Sequence, residues 1–279
     1  MDFEYRKNPD GSWGIYNSKV EDIYFSNMGA HKEAMEKFVI PSDVASFDEN
    51  KKIKILDVCY GMGFNSKSFV DYCIKNNFKF EYEIDCIEID KNILALGLLI
   101  FDENISNDIH LIFGKKILDA VNLDENIENI LGENWIKLFL DDFQDNFKQL
   151  HLNFGVDLYK TSKNKQFLHN IYYQNQSNNN IFIQNLSFSM ILNDLLATLP
   201  LLHKKYDLIF HDAFSIRKQP DMWSEEVFKE YYRLLAPSGK LLTYSNSRVV
   251  RRTLENIGFE VKINYNNLEK QNGTIAIKT

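Results

Sequence analysis

The residues of this chain best placed to do chemistry follow a short apolar run at residues 206–210, where the sequence continues His211-Asp212-Ala213-Phe214. A short apolar run that ends in polar residues is typical of a strand buried in a parallel sheet. Ligands of open parallel α/β sheets lie outside the carboxyl ends of the strands, so we expect Asp212 and Phe214 at a ligand site. A carboxylate there can orient a substrate and accept a proton, and an aromatic ring can pack against a ligand.

Less specific roles for these residues stay open. Asp212 could instead cap a helix or be an exposed charge at a strand end. His211 is a lone histidine, which more often packs or forms a hydrogen bond than catalyses. Trp223, which follows the turn residue Pro220, is more typical of a core anchor than of a stacking platform.

A second candidate site lies between a predicted strand at residues 53–58 and a predicted helix at 65–75. The connection contains Gly61 and Gly63, separated by one residue. Glycine is needed where the backbone turns tightly or where a ligand must approach the main chain. The pair predicts a ligand-binding loop, and a tight turn without a ligand is the alternative.

An acidic residue follows the next predicted strand, at residues 82–87. Glu88 comes about twenty-five residues after the glycines, where a carboxylate can accept hydrogen bonds from both hydroxyls of a ribose. It could also be a solvated charge or a helix cap, although Asp90 fits the capping role better. The loop and Glu88 together predict a nucleoside cofactor.

The loop favours S-adenosylmethionine over a nicotinamide dinucleotide. Ser66 occupies the position of the third glycine in a dinucleotide fingerprint, and the loop contains the bulky residues Tyr60, Met62 and Phe64. A diphosphate needs close contact with the backbone at a helix N-terminus, whereas a methionine moiety tolerates side chains.

Alternating strand and helix patterns position both sites. Strands at 53–58, 82–87, 206–210 and 240–244 alternate with helices at 65–75, 90–101, 224–235 and 247–257. The alternation predicts an α/β, doubly wound, Rossmann-like parallel sheet. Predicted strands at 259–264 and 274–278 close it with an antiparallel hairpin, the feature that distinguishes the class I methyltransferase fold from nicotinamide-binding domains.

We expect two parts in the chain. Residues 1–45 form a small N-terminal β-hairpin and a helix that pack on the core. Residues 46–279 form the main domain, which carries a largely helical insertion at about 102–180 and a hairpin at 167–173 and 181–185.

Composition narrows the classes of protein. The 279 residues are 44% hydrophobic and 25% charged, with a net charge of −7, which is typical of a globular domain and argues against a broad surface that coats nucleic acid. No apolar run is long enough to span a bilayer and no signal peptide is evident, so we expect a cytoplasmic protein. The three cysteines lack metal-binding spacing, and no metal is expected.

Several spaced motifs resemble one family. They are Tyr24-Phe25-Ser26, the segments 29–33 and 61–65, Asp212-Ala213-Phe214-Ser215 with the following 220–223, 251–254 and Gly258-Phe259. Together they resemble the methyltransferase half of the bifunctional MnmC-type enzymes, which complete methylaminomethyl-uridine at the wobble position of transfer RNA. The resemblance covers residues from about 20 to 100 and 181 to 278.

The resemblance implies that the glycine loop and Glu88 hold S-adenosylmethionine, while Asp212 and Phe214 face the methyl donor and the incoming amine. The implied cofactor residues are Asp57, Tyr60, Gly61, Gly63, Asn65, Glu88 and Asn185. Two positions depart from the family pattern: Gln184-Asn185 stands where Gly-Asp is usual after the third strand, and Ile216 replaces a proline. The flavin-dependent oxidase domain of the bifunctional enzymes is not expected, and neither is FAD.

The implied partner is the anticodon stem-loop of transfer RNA, and separate enzymes would make the aminomethyl-uridine precursor. Candidate phosphate contacts are Arg217, Lys218, Arg248, Arg251 and Arg252. A solvated helix face is the alternative for the pair at 251–252. Two other functions stay open: a small-molecule amine methyl- or aminopropyltransferase, and a non-catalytic nucleotide-binding subunit.

Overall fold

The computed structural model describes residues 3–7, 13–24, 29–48, 50–98, 100, 102, 104–121, 186–265 and 273–279. The predicted hairpin at 167–173 and 181–185 lies outside these residues, as do most of the predicted insertion and the candidate residues Ser26 and Asn185.

The chain divides into two units, one formed by Asp2–Ile89 with Asn185–Thr279 and the other by Asp90–Gln184. The described strands are β1 Phe3–Lys7, β2 Trp13–Asn17, β3 Asp22–Ile23, β4 Lys52–Val58, β5 Glu81–Glu88, β6 Leu186–Leu192, β7 Tyr206–His211, β8 Leu235–Thr243, β9 Phe259–Asn264 and β10 Gly273–Lys278. The described helices are α1 Ala30–Ala34, α2 Phe64–Lys75, α3 Lys91–Gly97, α4 Asn107–Ala120, α5 Leu195–Thr198, α6 Glu225–Leu234 and α7 Arg248–Ile257. Shorter helical turns are Met35–Val39, Ile40–Ser42, Val44–Ser46, Leu199–Leu201 and Pro220–Trp223.

Seven of the described strands form one sheet, in the order β6-β5-β4-β7-β8-β10-β9. The strands from β6 to β8 run parallel, and β10 runs antiparallel to both β8 and β9. The predicted Rossmann-like class I methyltransferase sheet with an antiparallel terminal hairpin is therefore confirmed. Because β4 and β7 are adjacent parallel strands, the glycine loop and Asp212 follow neighbouring carboxyl ends of the sheet.

Both faces of the sheet are covered, which explains why its central strands are continuous apolar runs. Phe210 of β7 packs on one face against Phe38 and Phe69, at ring-centroid distances of 5.6 and 5.9 Å. Ile209 faces the other side, in a core cluster shared with Phe228 of α6 and Leu254 of α7.

The N-terminal hairpin is also confirmed. β1 and β2 pair antiparallel, and the two-residue β3 adds to β2. After β3, the Tyr24 amide donates to the Ile15 carbonyl at 2.8 Å, which fixes Tyr24 beside the hairpin. Helical turns then run from Ala30 to Ser42 and include Pro41.

Two strand predictions need correction. Residues 237–239, between the helix predicted to end at 235 and the strand predicted to begin at 240, lie within β8, where pairing shifts from Tyr206↔Leu235 to Leu208↔Lys240. The third parallel strand, predicted to end at Gln184-Asn185, is instead β6, which begins at Leu186. Ser alternates with Phe and Met along β6 because it is the outermost described strand and has one exposed face. Such a strand is not a continuous apolar run, so the sequence pattern did not predict it.

In the second unit, α3 begins where it was predicted but ends at Gly97. Asp90 is its N-cap, since its side chain accepts a hydrogen bond from the Asn92 amide at 2.8 Å. No helix in the described ranges is long and apolar enough to cross a membrane.

Candidate active site

A left-handed loop carries the chain from β4 into α2. Cys59, Gly61 and Gly63 have φ angles of 58°, 56° and 77°. The Gly63 amide donates to the Tyr60 carbonyl at 2.8 Å, and the Tyr60 amide donates to the Ile87 carbonyl at 3.1 Å. The loop is thus closed on itself and tied to β5.

Glycine is required at position 63 for two reasons. A Cβ atom there would lie 2.1 Å from the Tyr60 hydroxyl oxygen, and the φ angle is one that L side chains rarely adopt. At Gly61 the nearest atom to an added Cβ is 3.8 Å away, so that position is constrained mainly by its backbone angle. Cys59 shares the left-handed conformation although its residue type gave no signal of it.

Glu88 holds this loop at the end of β5. One carboxylate oxygen accepts from the Gly61 amide at 2.8 Å and the other from the Ile89 amide at 2.8 Å. The side chain is 7% exposed. An ionised carboxylate has about four acceptor sites, so its chemistry suits hydroxyl donors such as those of a ribose.

Asp57, the penultimate residue of β4, is fully buried beneath the loop. Its Oδ2 accepts from the Ser66 hydroxyl at 2.5 Å, whereas its Oδ1 has no hydrogen-bond partner. Burial, and to a lesser extent the carboxylates of Asp212 and Glu88, raise the pKa of Asp57 to about 8 despite the Ser66 contact. An orphaned, buried acceptor oxygen fits a donor supplied by a ligand.

Lys67 is a buried cation that the sequence analysis missed. Its Nζ donates to the Met62 carbonyl at 2.8 Å and lies 5.6 Å from the centre of the Phe64 ring. Burial lowers the pKa of Lys67 to about 7. The contact braces the middle of the loop from the first turns of α2.

The Asp212 carboxylate contacts α2, the helix that follows the glycine loop. The Asp212 amide donates to the Val58 carbonyl at 3.3 Å, which places the residue beside the start of the loop. The Asn65 side-chain amide donates to Asp212 Oδ2 at 2.9 Å. The structure therefore brings together Asp212 and a residue predicted to bind the cofactor.

The surroundings of Asp212 disfavour its charged form. Burial, followed by the negative charge of Glu33, raises the pKa of Asp212 above its usual range, while the Asn65 hydrogen bond acts in the opposite direction. Desolvation, with the charges of Asp212 and Glu33, likewise raises the pKa of Tyr244. Glu33 was not singled out from the sequence, although it belongs to the motif at 29–33.

The segment after Asp212 is fixed by two side-chain donors. The Trp223 indole donates to the Phe214 carbonyl at 2.8 Å, and the Tyr244 hydroxyl donates to the Ala213 carbonyl at 2.9 Å. Trp223 is thus a buried anchor, as predicted. The Phe214 ring meets Tyr24 edge to face, with centroids 4.9 Å apart, so Tyr24, which follows the N-terminal strands, contacts the segment after Asp212.

His211 is a packed residue, as expected from the sequence. Its Nδ1 lies 2.8 Å from the Tyr231 hydroxyl, and its ring meets Trp223 at a centroid distance of 4.5 Å. Burial lowers its pKa to about 3, so the ring is neutral near neutral pH.

The end of the third parallel strand differs from the prediction. Because β6 runs from Leu186 to Leu192, Asn185 precedes the strand, and the residues at its carboxyl end are Asn193 and Asp194. The Asn193 amide donates to the Glu88 carbonyl at 2.9 Å, and the Asp194 side chain caps α5. The Asn-Asp pair here was the missed signal for the strand end.

The candidate phosphate contacts fall on the segments after β7 and β8. Arg217, Arg248 and Arg252 are exposed, while Lys218 forms an ion pair with Glu21 at 3.5 Å. The Arg251 guanidinium donates to the Asn246 carbonyl. Three of the five predicted contacts therefore present exposed guanidinium groups. Among the described residues, no group of three His, Cys, Asp or Glu side chains could hold a metal ion.

The second half of the chain is similar to a known family. Residues 159–279 match a family described as S-adenosyl-L-methionine-dependent methyltransferase. A crystal structure of MNMC2 from Aquifex aeolicus has the same fold as this chain, with a TM-score of 0.68 and 23% identity over 98% of this chain and 70% of that chain.

One relative matches nearly the whole chain, and another matches about a quarter of it. An uncharacterized protein of Methanocaldococcus jannaschii is 25% identical over 96% of this chain and 58% of its own length. A Pseudomonas fluorescens protein named tRNA 5-methylaminomethyl-2-thiouridine biosynthesis bifunctional protein MnmC is 39% identical over 74 residues, 26% of this chain and 11% of its own length. The resemblance to MnmC-type methyltransferases is confirmed, and the chain spans less than two thirds of both relatives.

The residues at the ends of β4 and β5 and in the glycine loop fit S-adenosylmethionine. The orphaned Asp57 oxygen can accept from a ligand ammonium group, and Glu88 lies at the strand end where ribose hydroxyls are bound in this topology. The left-handed glycines keep side chains off the ligand-facing backbone. Asp57 and Glu88 are acceptors for an ammonium group and for hydroxyl groups, and neither is suited to bind an anionic diphosphate.

Proposed function

We propose that the chain methylates the primary amine of 5-aminomethyl-uridine, with or without a 2-thio group, at the wobble position of tRNA, and that it does so in the cytoplasm. The carrying observation is Asp212, a partly buried carboxylate beside the cofactor loop, hydrogen-bonded by Asn65. The names of the MnmC relatives support the choice of amine, because a methylaminomethyl group is an aminomethyl group with one methyl on nitrogen.

When bound, S-adenosylmethionine supplies the electrophilic methyl group, held by Asp57, Gly61, Gly63 and Glu88. A primary alkylamine is mostly protonated near neutral pH and attacks only through a free lone pair. Asp212 orients the ammonium group and accepts its proton. Because transfer to nitrogen needs alignment more than covalent catalysis, fixing the acceptor beside the loop supplies much of the rate acceleration.

The aromatic pair suits a nucleobase. A wobble base must leave its stack to enter a pocket, and an unstacked base can pack on an aromatic face. Phe214 and Tyr24 meet beside the carboxylate, 4.9 Å between ring centroids. We assign Phe214 to packing against the uracil or the cofactor, with Tyr24 holding its edge.

Charge supports an RNA substrate over a free polyamine. Carboxylates surround the reaction centre, with Asp212 influenced by Glu33, whereas exposed arginines occupy the following segments at 217, 248 and 252. An aminomethyl group on RNA presents a cation attached to a polyanion. Acidic residues inside and basic residues outside fit that combination.

The test uses methyl-labelled S-adenosylmethionine and tRNA that carries aminomethyl-uridine. We expect label in the wobble nucleoside after digestion, identified by mass spectrometry as the methylaminomethyl form. Parallel reactions contain unmodified tRNA or spermidine without RNA. Label in the polyamine alone would favour a small-molecule amine methyltransferase. If calorimetry detects no binding of S-adenosylmethionine, both enzyme hypotheses are wrong.

A further inference from the structure

Asn65 joins the two halves of the site. It is the second residue of α2, is 6% exposed, and donates its side-chain amide to Asp212 Oδ2 at 2.9 Å. Its sequence position, two residues after Gly63, suggested a cofactor contact. In the structure its amide is engaged with the substrate-side carboxylate.

The orientation of Asp212 depends on such a contact. Asp212 lies beyond the end of β7, and its own amide donates only at 3.3 Å to the Val58 carbonyl. One carboxylate oxygen accepts from Asn65. With that oxygen fixed, the other can point to a substrate amine without rotation of the carboxylate.

The position of Asn65 depends in turn on the cofactor loop. Gly63 is the N-cap of α2, and its carbonyl accepts from the Lys67 amide at 3.0 Å. The loop is held at Gly61 by Glu88. The loop backbone therefore connects two hydrogen bonds, one from Gly61 to the predicted ribose-binding carboxylate of Glu88 and one from Asn65 to Asp212.

We propose that Asn65 is a positioning residue for amine methylation, which fixes Asp212 with one oxygen on the helix and the other toward the substrate amine, rather than a cofactor ligand. The inference rests on the proposed function in that it names an amine as the group Asp212 receives. The fixed geometry of Asn65 and Asp212 itself does not depend on the substrate.

The pKa of Asp212 depends on its hydrogen bond with Asn65. The groups that face Asp212 are Glu33 on α1, Asp57 on β4, Cys59 in the loop and Tyr244 after β8, all acidic or neutral. Burial and Glu33 favour the protonated form, and the Asn65 hydrogen bond favours the ionised form. Loss of the Asn65 amide should therefore raise the pKa of Asp212.

The experiment compares Asn65→Ala and Asn65→Gln with wild type. For Asn65→Ala we expect kcat to fall about 10- to 100-fold, while the Kd for S-adenosylmethionine stays within about threefold. The acid limb of the kcat profile should move toward higher pH by about one pH unit. Asn65→Gln retains an amide and should recover part of the rate.

Asn76→Ala is the matched control. Asn76 lies at the other end of α2, where its side-chain amide donates to the Tyr72 carbonyl at 2.8 Å. The variant removes one amide hydrogen bond from the same helix away from the loop. It should leave kcat and the pH profile unchanged.

A second measurement needs no turnover. Carbon-13 NMR of aspartate-labelled protein, with Asp212→Asn to assign the resonance, follows the Asp212 carboxyl group directly. Its titration midpoint should rise in Asn65→Ala. If the midpoint is unchanged and affinity for S-adenosylmethionine falls about 30-fold or more, Asn65 is a cofactor ligand and the proposal is wrong. If wild type methylates no tRNA amine, the proposed function fails, while the NMR titration still decides the role of Asn65.

Discussion

Asp212, to which we assign proton transfer, lies in an environment that disfavours a charged carboxylate. Its carboxylate is partly buried, close to other acids, and has a raised pKa. A general base works best with a pKa near the operating pH, so the arrangement suits proton transfer from an ammonium group. Structural stability alone would not favour placing a carboxylate there.

The first prediction concerns Asp212→Asn. The amide preserves shape but cannot accept the proton in the same way, so we expect kcat to fall about 10²- to 10⁴-fold. Binding of S-adenosylmethionine, measured by calorimetry, should change little. Asp221→Asn, an exposed aspartate in the following turn, serves as the control. Wild-type turnover in Asp212→Asn would remove Asp212 from the mechanism.

Asp57 gives a prediction on the pH dependence of stability. Its pKa is raised from 3.8 to about 8, so the folded state binds the proton more tightly than the unfolded state. The stability that this provides is complete below the unfolded pKa and is lost as pH rises toward 8, by about 1.4 kcal/mol per pH unit as an upper bound.

The neutral side chain of Asp57→Asn should avoid this loss. Its unfolding temperature relative to wild type should increase between pH 5 and pH 8 and then level off, as measured by circular dichroism. Affinity for S-adenosylmethionine should fall at every pH, because the orphaned Oδ1 is replaced. A pH-independent difference in unfolding temperature would show that Asp57 does not carry the buried proton.

At the scale of elements, the glycine loop allows a matched comparison. Gly61 and Gly63 both have positive φ angles, but the nearest atom to an added Cβ is Tyr24 Cδ1 at 3.8 Å in the first case and the Tyr60 hydroxyl oxygen at 2.1 Å in the second. Gly61→Ala should cost about 1 kcal/mol of unfolding free energy from backbone conformation alone. Gly63→Ala should cost about 1–3 kcal/mol more, from overpacking.

Urea denaturation of the two variants measures this difference. Tyr60→Ala removes the ring that the new methyl group meets, so Gly63→Ala should cost less unfolding free energy in the Tyr60→Ala background than in wild type. Equal costs at the two glycines would mean that the loop relaxes around Tyr60, so that the left-handed backbone alone explains the pair.

The elements that the sequence predicted well are those with strong local signals. β4, β7 and the terminal hairpin were found as apolar runs bounded by turn residues, and Asp90 as a helix cap. β6 was missed because an edge strand carries polar residues on one face. Contacts that join distant segments, such as Asn65 with Asp212, have no local signature, and neither does the left-handed Cys59.

At the scale of the whole molecule, acidic charge limits how RNA can bind. A net charge of −7 repels a polyanion over most of the surface, so affinity must come from a local group of cations. The exposed arginines at 217, 248 and 252 lie after the carboxyl ends of β7 and β8, the edge that carries Asp212. RNA bound there would place its phosphates beside the reaction centre.

The double variant Arg248→Gln with Arg252→Gln tests this arrangement. Each phosphate contact releases about one counterion, so the affinity for tRNA should fall and the slope of log K against log salt should decrease by about one to two. The rate at saturating tRNA should stay near wild type, because neither residue contacts the reacting groups. Fluorescence anisotropy over a series of salt concentrations measures the slope.

Lys51→Gln with Lys52→Gln removes the same charge from the opposite edge, where β4 begins. If both double variants lose affinity and salt slope equally, net charge rather than a local surface governs binding. If only the arginine variant loses tRNA affinity and salt slope, the RNA binds beside the carboxyl ends of β7 and β8. Because Arg248 is the first residue of α7 and follows β8 by only a short connection, its distance from Asp212 is fixed by the sheet. The distance between the bound phosphates and the target amine would then have to match the distance between Arg248 and Asp212. The proposed enzyme would therefore select an amine by its position on the RNA as well as by its charge.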